Sequence, residues 1–242
     1  MAYIRSVIFI LFMWVSIPIA TTLFLLAYPI PYHYRSKFIA LWSRFTLFML
    51  GLICNLKYQI SGQENIPEKP CIIFCKHQST WETMALQLLF IPEVWILKRE
   101  LLWVPFFGWT LASMKSIAID RKSGKKALKK IVTDGTKRLQ EGHWVIIFPE
   151  GTRTRPGQKE NYKIGGAMLA SASGFDVLPI AHNAGEFWPK GQLLKKPGTI
   201  KMLIGPLIKS QELKTKEINQ QAELWIESTV KELYEKNYSN LE

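Results

Sequence analysis

An α/β fold is the architecture this sequence predicts: a mixed, largely parallel sheet flanked by helices, preceded by an N-terminal membrane-embedded two-helix element. Three observations predict it. Short apolar, β-branched runs alternate with helical patterns through the second part of the chain, the arrangement that covers a sheet with helices. Polar clusters close several of those runs, at the strand ends where such sheets bind ligands. The front of the chain, by contrast, is almost continuously apolar. With 242 residues, the chain suits one sizeable domain plus an appendage. The boundaries are 1–56 for the N-terminal membrane-associated helices and 57–242 for an α/β domain.

Residues 7–32 carry no charged side chain. About 20 apolar residues cross a hydrocarbon core, so this run is long enough to span one. It is too long for a signal-peptide core, and Arg5 is the only basic residue ahead of it. A second apolar run, 38–56, is broken only by Arg44. Two full spans would set Arg35 and Lys37 opposite the catalytic domain, which the positive-inside tendency disfavours if that domain is cytoplasmic. Pro18 also interrupts the first run. Two arrangements answer these points. One is a single span followed by an interfacial helix; the other is a helical hairpin in one leaflet with Arg44 snorkelling to the surface. Two buried core helices of a soluble protein are the competing reading.

Residues 56–61 alternate as a strand, and 62–70 form a loop rich in turn residues. Residues 71–75 read as a buried strand that stops at Lys76-His77, with helical periodicity over 80–90 ended by Pro92. Residues 94–97 are a short strand running into Lys98-Arg99, followed by the aromatic segment 103–109. Residues 117–119 are another strand, ending in Asp120-Arg121. Residues 122–140 form a basic helix with Leu128, Ile131, Val132 and Leu139 inward and Lys125, Lys126, Lys129 and Lys130 outward; Gly142 closes it. Residues 144–148 are a buried strand that opens into the polar loop 149–157. A small-residue helix suited to close packing covers 165–173. Residues 176–181 and 199–203 are strands, and 211–238 form a long amphipathic helix.

The formal net charge is +12, the chain is 48% hydrophobic, and it holds nine tryptophans. A protein resting on an anionic membrane surface combines these features, since each nearby Lys or Arg contributes roughly 1 kcal/mol there. A nucleic-acid binder fits poorly: the tryptophans lie in apolar segments and no recognised RNA- or DNA-binding motif is present. Cys71 and Cys75 share one side of a strand, and with Cys54 they read as buried thiols in a reducing cytoplasm rather than a disulfide framework. No Cys/His pairing has zinc spacing.

His77 stands at a strand-to-helix corner, with Glu82 five residues on. A neutral imidazole takes a proton from an alcohol when a carboxylate holds its other nitrogen. No Gly-x-Ser-x-Gly nucleophile motif is present, so the pair suits general-base activation of a substrate hydroxyl without a covalent intermediate. A second reading stands beside it: Ser79-Thr80-Trp81-Glu82 is a capping box, which uses the glutamate only to close a helix N-terminus. In the loop Phe148-Pro149-Glu150-Gly151-Thr152-Arg153, glycine permits close backbone approach and Arg153 suits bidentate phosphate binding. Lys98, Arg99 and Arg121 at other strand ends add cations, and their convergence suggests an anionic substrate.

These blocks, in this order and spacing, resemble the 1-acylglycerol-3-phosphate acyltransferase (lysophosphatidic acid acyltransferase) family of the bacterial membrane-bound type. His77-Gln78-Ser79-Thr80-Trp81-Glu82 resembles its His-x4-Asp block, with Glu82 where most members carry Asp. Residues 98–108 with Ile119-Asp120-Arg121 resemble the second block, Phe148 to Arg153 the third and most specific, and Val177-Leu178-Pro179-Ile180-Ala181 the fourth. The resemblance implies that His77, oriented by Glu82, deprotonates the 2-hydroxyl of lysophosphatidic acid for attack on an acyl thioester. Lys98, Arg121 and Arg153 would bind the substrate phosphate, Glu150 would help position that loop or the glycerol, and Gly151 and Thr152 would complete the substrate-binding loop. Pro179 would support the acyl or glycerol side, and backbone N–H groups near Gly151 or after His77 would hold the oxyanion. No metal and no cofactor are implied; the co-substrate is an acyl-CoA or acyl carrier protein thioester. Implied partners are a lysophospholipid, the thioester, the membrane and acyl carrier protein, with no nucleic acid. The implied location is the cell inner membrane, catalytic domain facing the cytoplasm. The alternatives are an acyltransferase for glycerol-3-phosphate or another lysophospholipid, and a non-catalytic basic membrane-surface protein.

Overall fold

The computed structural model describes residues 1–238, with side chains through residue 235. Two long apolar helices open the chain, α1 (Ala2–Leu26) and α2 (Tyr32–Cys54). They run antiparallel, since Cys54 at the end of α2 contacts the Arg5 carbonyl near the start of α1 at 3.7 Å. The sequence expectation that Pro18 interrupts the first run is corrected: α1 continues through Pro18. Both helices are long and apolar enough to cross a membrane. Leu11, Trp14, Val15 and Ile19 of α1, and Leu41, Phe45 and Phe48 of α2, stay exposed.

Asn55, in the left-handed conformation, ends α2 and turns the chain directly into the sheet. The strands are β1 (Leu56–Ser61), β2 (Ile72–Cys75), β3 (Glu93–Lys98), β4 (Ile117–Ile119), β5 (Trp144–Ile147), β6 (Val177–His182) and β7 (Gly198–Ile204). They form one seven-stranded sheet in the order β1-β7-β6-β2-β5-β3-β4. Strands β2 to β6 run parallel, β7 is antiparallel to β6, and β1 is parallel to β7. The central strands β2, β5 and β6 are buried at every position, as strands covered on both faces must be. This topology brings the C-terminal ends of β2, β3, β4 and β5 to one edge. His77, Lys98, Arg121 and the loop after β5 therefore meet there.

The remaining helices are α3 (Trp81–Leu89), α4 (Phe107–Ser113), α5 (Lys125–Gln140), α6 (Gly165–Ser173), α7 (Ala184–Phe187) and α8 (Thr215–Tyr238). Sequence periodicity started α5 and α8 early. Short 3-10 turns at Arg121–Ser123 and Ser210–Glu212 precede them. In α5 the buried stripe is Ala127, Ile131, Gly135 and Leu139. Leu128 and Val132 move to its rim because Gly135 admits Leu169 of α6, whose Cδ2 lies 2.6 Å from where a Cβ would stand. The aromatic segment 103–109 shows no helical period, yet its last three residues, 107–109, open α4.

Gly166 of α6 sits flat on β2. A Cβ there would lie 2.5 Å from Phe74 Cζ and 3.2 Å from Ile147 Cδ1. Both are core atoms with nowhere to retreat. We expect Gly166→Val to destabilise the protein by about 1–3 kcal/mol, the usual cost of overpacking a filled core, read as a lowered Tm in detergent. An unchanged Tm would show that α6 does not pack this closely.

Candidate active site

Strand β2 ends at Cys75, and the next three residues are held from several directions. His77 Nδ1 lies 2.8 Å from Glu82 Oε1. Glu82 has no exposed surface, and it also accepts the N–H groups of Gln78 (2.9 Å) and Ser79 (2.8 Å to Oε1, 3.1 Å to Oε2). The Ser79 hydroxyl oxygen in turn accepts the Trp81 N–H at 3.2 Å. Both sequence readings of Glu82 therefore hold at once: it closes the α3 N-terminus and grips the imidazole. Burial pushes its carboxyl upward, but His182, His77 and the Ser79 N–H outweigh that, and the net displacement is below the ordinary carboxylate value.

An ionised Glu82 makes His77 Nδ1 the protonated nitrogen and leaves the Nε2 lone pair free for substrate. The ring stacks on Phe148, with centroids 3.8 Å apart and planes at 11°. Burial lowers the His77 pKa from its ordinary value; Glu82 opposes this, and Arg153 and Arg121 reinforce it. The balance favours the neutral imidazole.

The backbone of His77 is clamped as firmly as its ring. Its N–H donates to Glu150 Oε2 at 3.0 Å, and its carbonyl accepts the Thr154 N–H at 2.8 Å. Glu150 Oε1 is 3.0 Å from Lys76 Nζ, which also meets Glu227 Oε1 of α8 at 2.7 Å. The Tyr162 hydroxyl donates to the same Glu227 oxygen at 3.0 Å. Burial pushes Glu150 up to about 7 against the pull of Lys76. On the other flank, the Gln78 side chain joins the Tyr234 hydroxyl of α8 and the Gly185 N–H of α7.

Sequence reasoning missed His182, which is fully buried one residue beyond the predicted strand. Its Nε2 lies 2.8 Å from the Lys76 carbonyl, and its Nδ1 accepts the Ala184 N–H at 3.2 Å. Those partners fix one neutral tautomer, and Nε2 stands 3.9 Å from Glu82 Oε2. Its place at a strand end facing the same edge as His77 was the available signal. Lys76, Thr154, Tyr162 and Glu227 were also missed as members of the site.

A cavity of about 330 Å³ opens at His77. Its deep walls are apolar and come from α1 (Met13, Ile17, Phe24), α2 (Phe38, Trp42) and α4 (Leu111). Lys98, Arg121, Gly151 and Arg153 join His77 at its polar end. Gly151 has φ +72, a conformation glycine adopts freely, and the Arg121 guanidinium lies 3.9 Å from where a Cβ would be. Lys98 also pairs with Glu100 at 3.4 Å, and Arg99 with Asp120 at 3.5 Å.

Of the two roles expected of Glu150, positioning the loop or the glycerol, the geometry favours positioning the loop: it is 2% exposed, does not line the cavity, and holds the His77 peptide. Two other expectations are revised. Thr152 faces the surface, where its hydroxyl oxygen accepts from Lys190 at 3.3 Å. Pro179 lies inside β6 beside Phe74, away from the cavity. The expected oxyanion donors are also engaged elsewhere: the Gly151 N–H bonds the Phe148 carbonyl at 2.9 Å, and those of Gln78 and Ser79 serve Glu82.

Residues 57–183 match the acyltransferase family model. The chain is 46% identical to the 1-acyl-sn-glycerol-3-phosphate acyltransferase of Pseudomonas aeruginosa, over 95% of its own length and 91% of that protein's. It is 31% identical to a protein of the same name from Borreliella burgdorferi, covering 64% of this chain and 63% of that one. The crystal structure of the 1-acyl-sn-glycerophosphate (LPA) acyltransferase from Thermotoga maritima superposes with a TM-score of 0.81, at 22% identity and 96% coverage of both chains. At that identity the likeness speaks for the fold.

Lys76→Met would leave Glu150 buried without its cation. Breaking one side of a buried ion pair costs about 3–5 kcal/mol. We therefore expect a large fall in Tm, and Lys76→Met/Glu150→Gln, which removes both charges, to recover part of it. A Tm unchanged in the single variant would show that the network bears no strain on the fold.

Proposed function

We infer the reaction from one premise: this chain belongs to the acyltransferase family. It is an enzyme, and the reaction we assign is transfer of a fatty acyl group from a thioester to the 2-hydroxyl of lysophosphatidic acid, giving phosphatidic acid for phospholipid synthesis. The observation that carries this reading is one opening. A neutral His77 backed by Glu82 stands between an apolar cavity and three cations. Hydrocarbon leaves water into the cavity, a phosphate meets Lys98, Arg121 and Arg153, and the hydroxyl between them falls to His77. An acceptor carrying its own chain fits this opening better than glycerol-3-phosphate, which has no chain to bury.

The 2-hydroxyl oxygen attacks the thioester carbonyl while its proton passes to His77 Nε2. The C–O bond forms, the C–S bond breaks, and the imidazolium returns the proton to the departing thiolate as a thiol. Glu82 stabilises the imidazolium through Nδ1. Arg153 and Arg121, which line the same cavity as His77, would help balance charge on the tetrahedral intermediate. The donor is an acyl-CoA or acyl carrier protein thioester; the chemistry at His77 is the same for both. The exposed apolar side chains of α1 and α2 support membrane attachment, which we place at the inner membrane with the catalytic domain on the cytoplasmic side. Three buried free cysteines fit a reducing compartment.

With lysophosphatidic acid and a thioester in detergent micelles, His77→Ala should lose about 10²–10⁴-fold in kcat, the range general-base groups supply, while still partitioning with membranes. Activity should rise with pH through the His77 pKa. Because that pKa is lowered, the acidic limb lies below the ordinary histidine value. Glu82→Gln removes an interaction that raises it, so the limb should move to still lower pH as the maximal rate drops. Turnover retained in His77→Ala would overturn the base assignment. Faster acylation of glycerol-3-phosphate than of lysophosphatidic acid would overturn the acceptor.

A further inference from the structure

A second concavity lies on the outer side of the same catalytic loop. It measures about 670 Å³, within the range of small-molecule sites. Arg155, Lys190, Lys196 and Lys201 line it, against one carboxylate, Glu186. Its remaining walls include the half-buried Phe187 ring and Pro197. None of its lining residues lines the cavity at His77.

Two connections tie this groove to the reaction. Lys190 Nζ donates to Thr152 Oγ1 at 3.3 Å, and Thr152 stands between Gly151 and Arg153, both on the catalytic cavity. Arg155 on the groove follows Arg153 on the cavity by two residues, so their Cα atoms are at most about 7 Å apart. The groove and the cavity at His77 therefore share one short stretch of loop, residues 151–156, as a common wall. On the far side, α7 contributes Gly185 to the groove and to the Gln78 side chain beside His77.

We propose that this groove binds the phosphorylated nucleotide end of a coenzyme A thioester, a proposal that rests on the acyl-transfer reading above. The cavity at His77 accounts for an acyl chain and the acceptor phosphate, and leaves the donor's own phosphates without a site. Coenzyme A carries a 3′-phosphate and a pyrophosphate on an adenosine. Four cations suit those charges, and Phe187 with Pro197 offers an apolar wall for the purine. The flexible pantetheine arm then crosses Thr152 and Arg153 and delivers the thioester carbonyl to His77. A concave site of this volume suits a nucleotide better than a carrier protein, whose stable docking takes about 800 Å² of surface per partner.

The test measures coenzyme A binding to the full-length protein in detergent. Lys196→Ala/Lys201→Ala should weaken binding about tenfold or more, as losing charge-assisted phosphate contacts does. Lys129→Ala/Lys130→Ala, an equal charge change on the outer face of α5, should stay within about twofold, which leaves general electrostatics out of the difference. 3′-Dephospho-coenzyme A should bind the wild type more weakly than coenzyme A. In turnover, the groove variant should raise the KM for palmitoyl-CoA and leave that for lysophosphatidic acid in place. Equal weakening in both double variants, or no coenzyme A binding by the wild type, overturns the proposal. So does a groove variant that loses acyl carrier protein binding alone. Binding that behaves as expected while no acceptor is acylated would instead defeat the acyl-transfer reading and leave the groove standing.

Discussion

A carboxylate with no exposed surface organises this site. Taking an ionised group out of water costs several kcal/mol unless its lone pairs are met. Glu82 meets that demand with two backbone N–H groups and the His77 ring. Each donor comes from the turn between β2 and α3, so the carboxylate folds that turn around itself. The constraint runs both ways: the turn must take this shape for Glu82 to stay charged, and Glu82 must stay charged for His77 to present Nε2. Catalytic orientation and helix capping are one set of hydrogen bonds.

The second layer of control is long-range. Glu150 and Thr154 take the His77 N–H and carbonyl, and Lys76 draws Glu150 and Glu227 together from the loop after β5 and from α8. The C-terminal helix thus reaches the catalytic peptide through one buried lysine. Like the His182 tautomer, this network acts on position rather than on substrate. The cavity adds a third element, because its apolar walls come largely from α1, α2 and α4 while its cations come from strand ends. The two helices long and apolar enough to cross a membrane are thus also walls of the cavity that opens at His77.

Much of this was legible in the sequence, for identifiable reasons. His77 and Glu82 lie five residues apart, so their meeting is a local event that strand-then-helix periodicity foretells. Lys98, Arg121 and Arg153 are legible because parallel strands deliver their C-terminal ends to one edge. What sequence pattern does not carry is partnership across the fold. Lys76 and Glu227 are 151 positions apart, and the packing of α8 against β6 and α6 brings them together. Glu150 reads from sequence as positioning either its loop or the glycerol, and only the turn at Gly151, which points it inward to the His77 peptide, decides between them. Thr152 fails as a ligand: the same turn sends it to the surface. The short α4 and α7 escaped because so few residues show no clear period.

The Glu82 contact at Nδ1 calls for a neutral His77 that carries its proton on that nitrogen and leaves Nε2 free. Nitrogen-15 chemical shifts of the imidazole, followed against pH in the full-length protein in detergent, measure this directly. The structure predicts a protonated Nδ1 and a bare Nε2 at neutral pH, with a titration midpoint below the ordinary histidine value. An imidazolium at neutral pH, or a proton resident on Nε2, would contradict it.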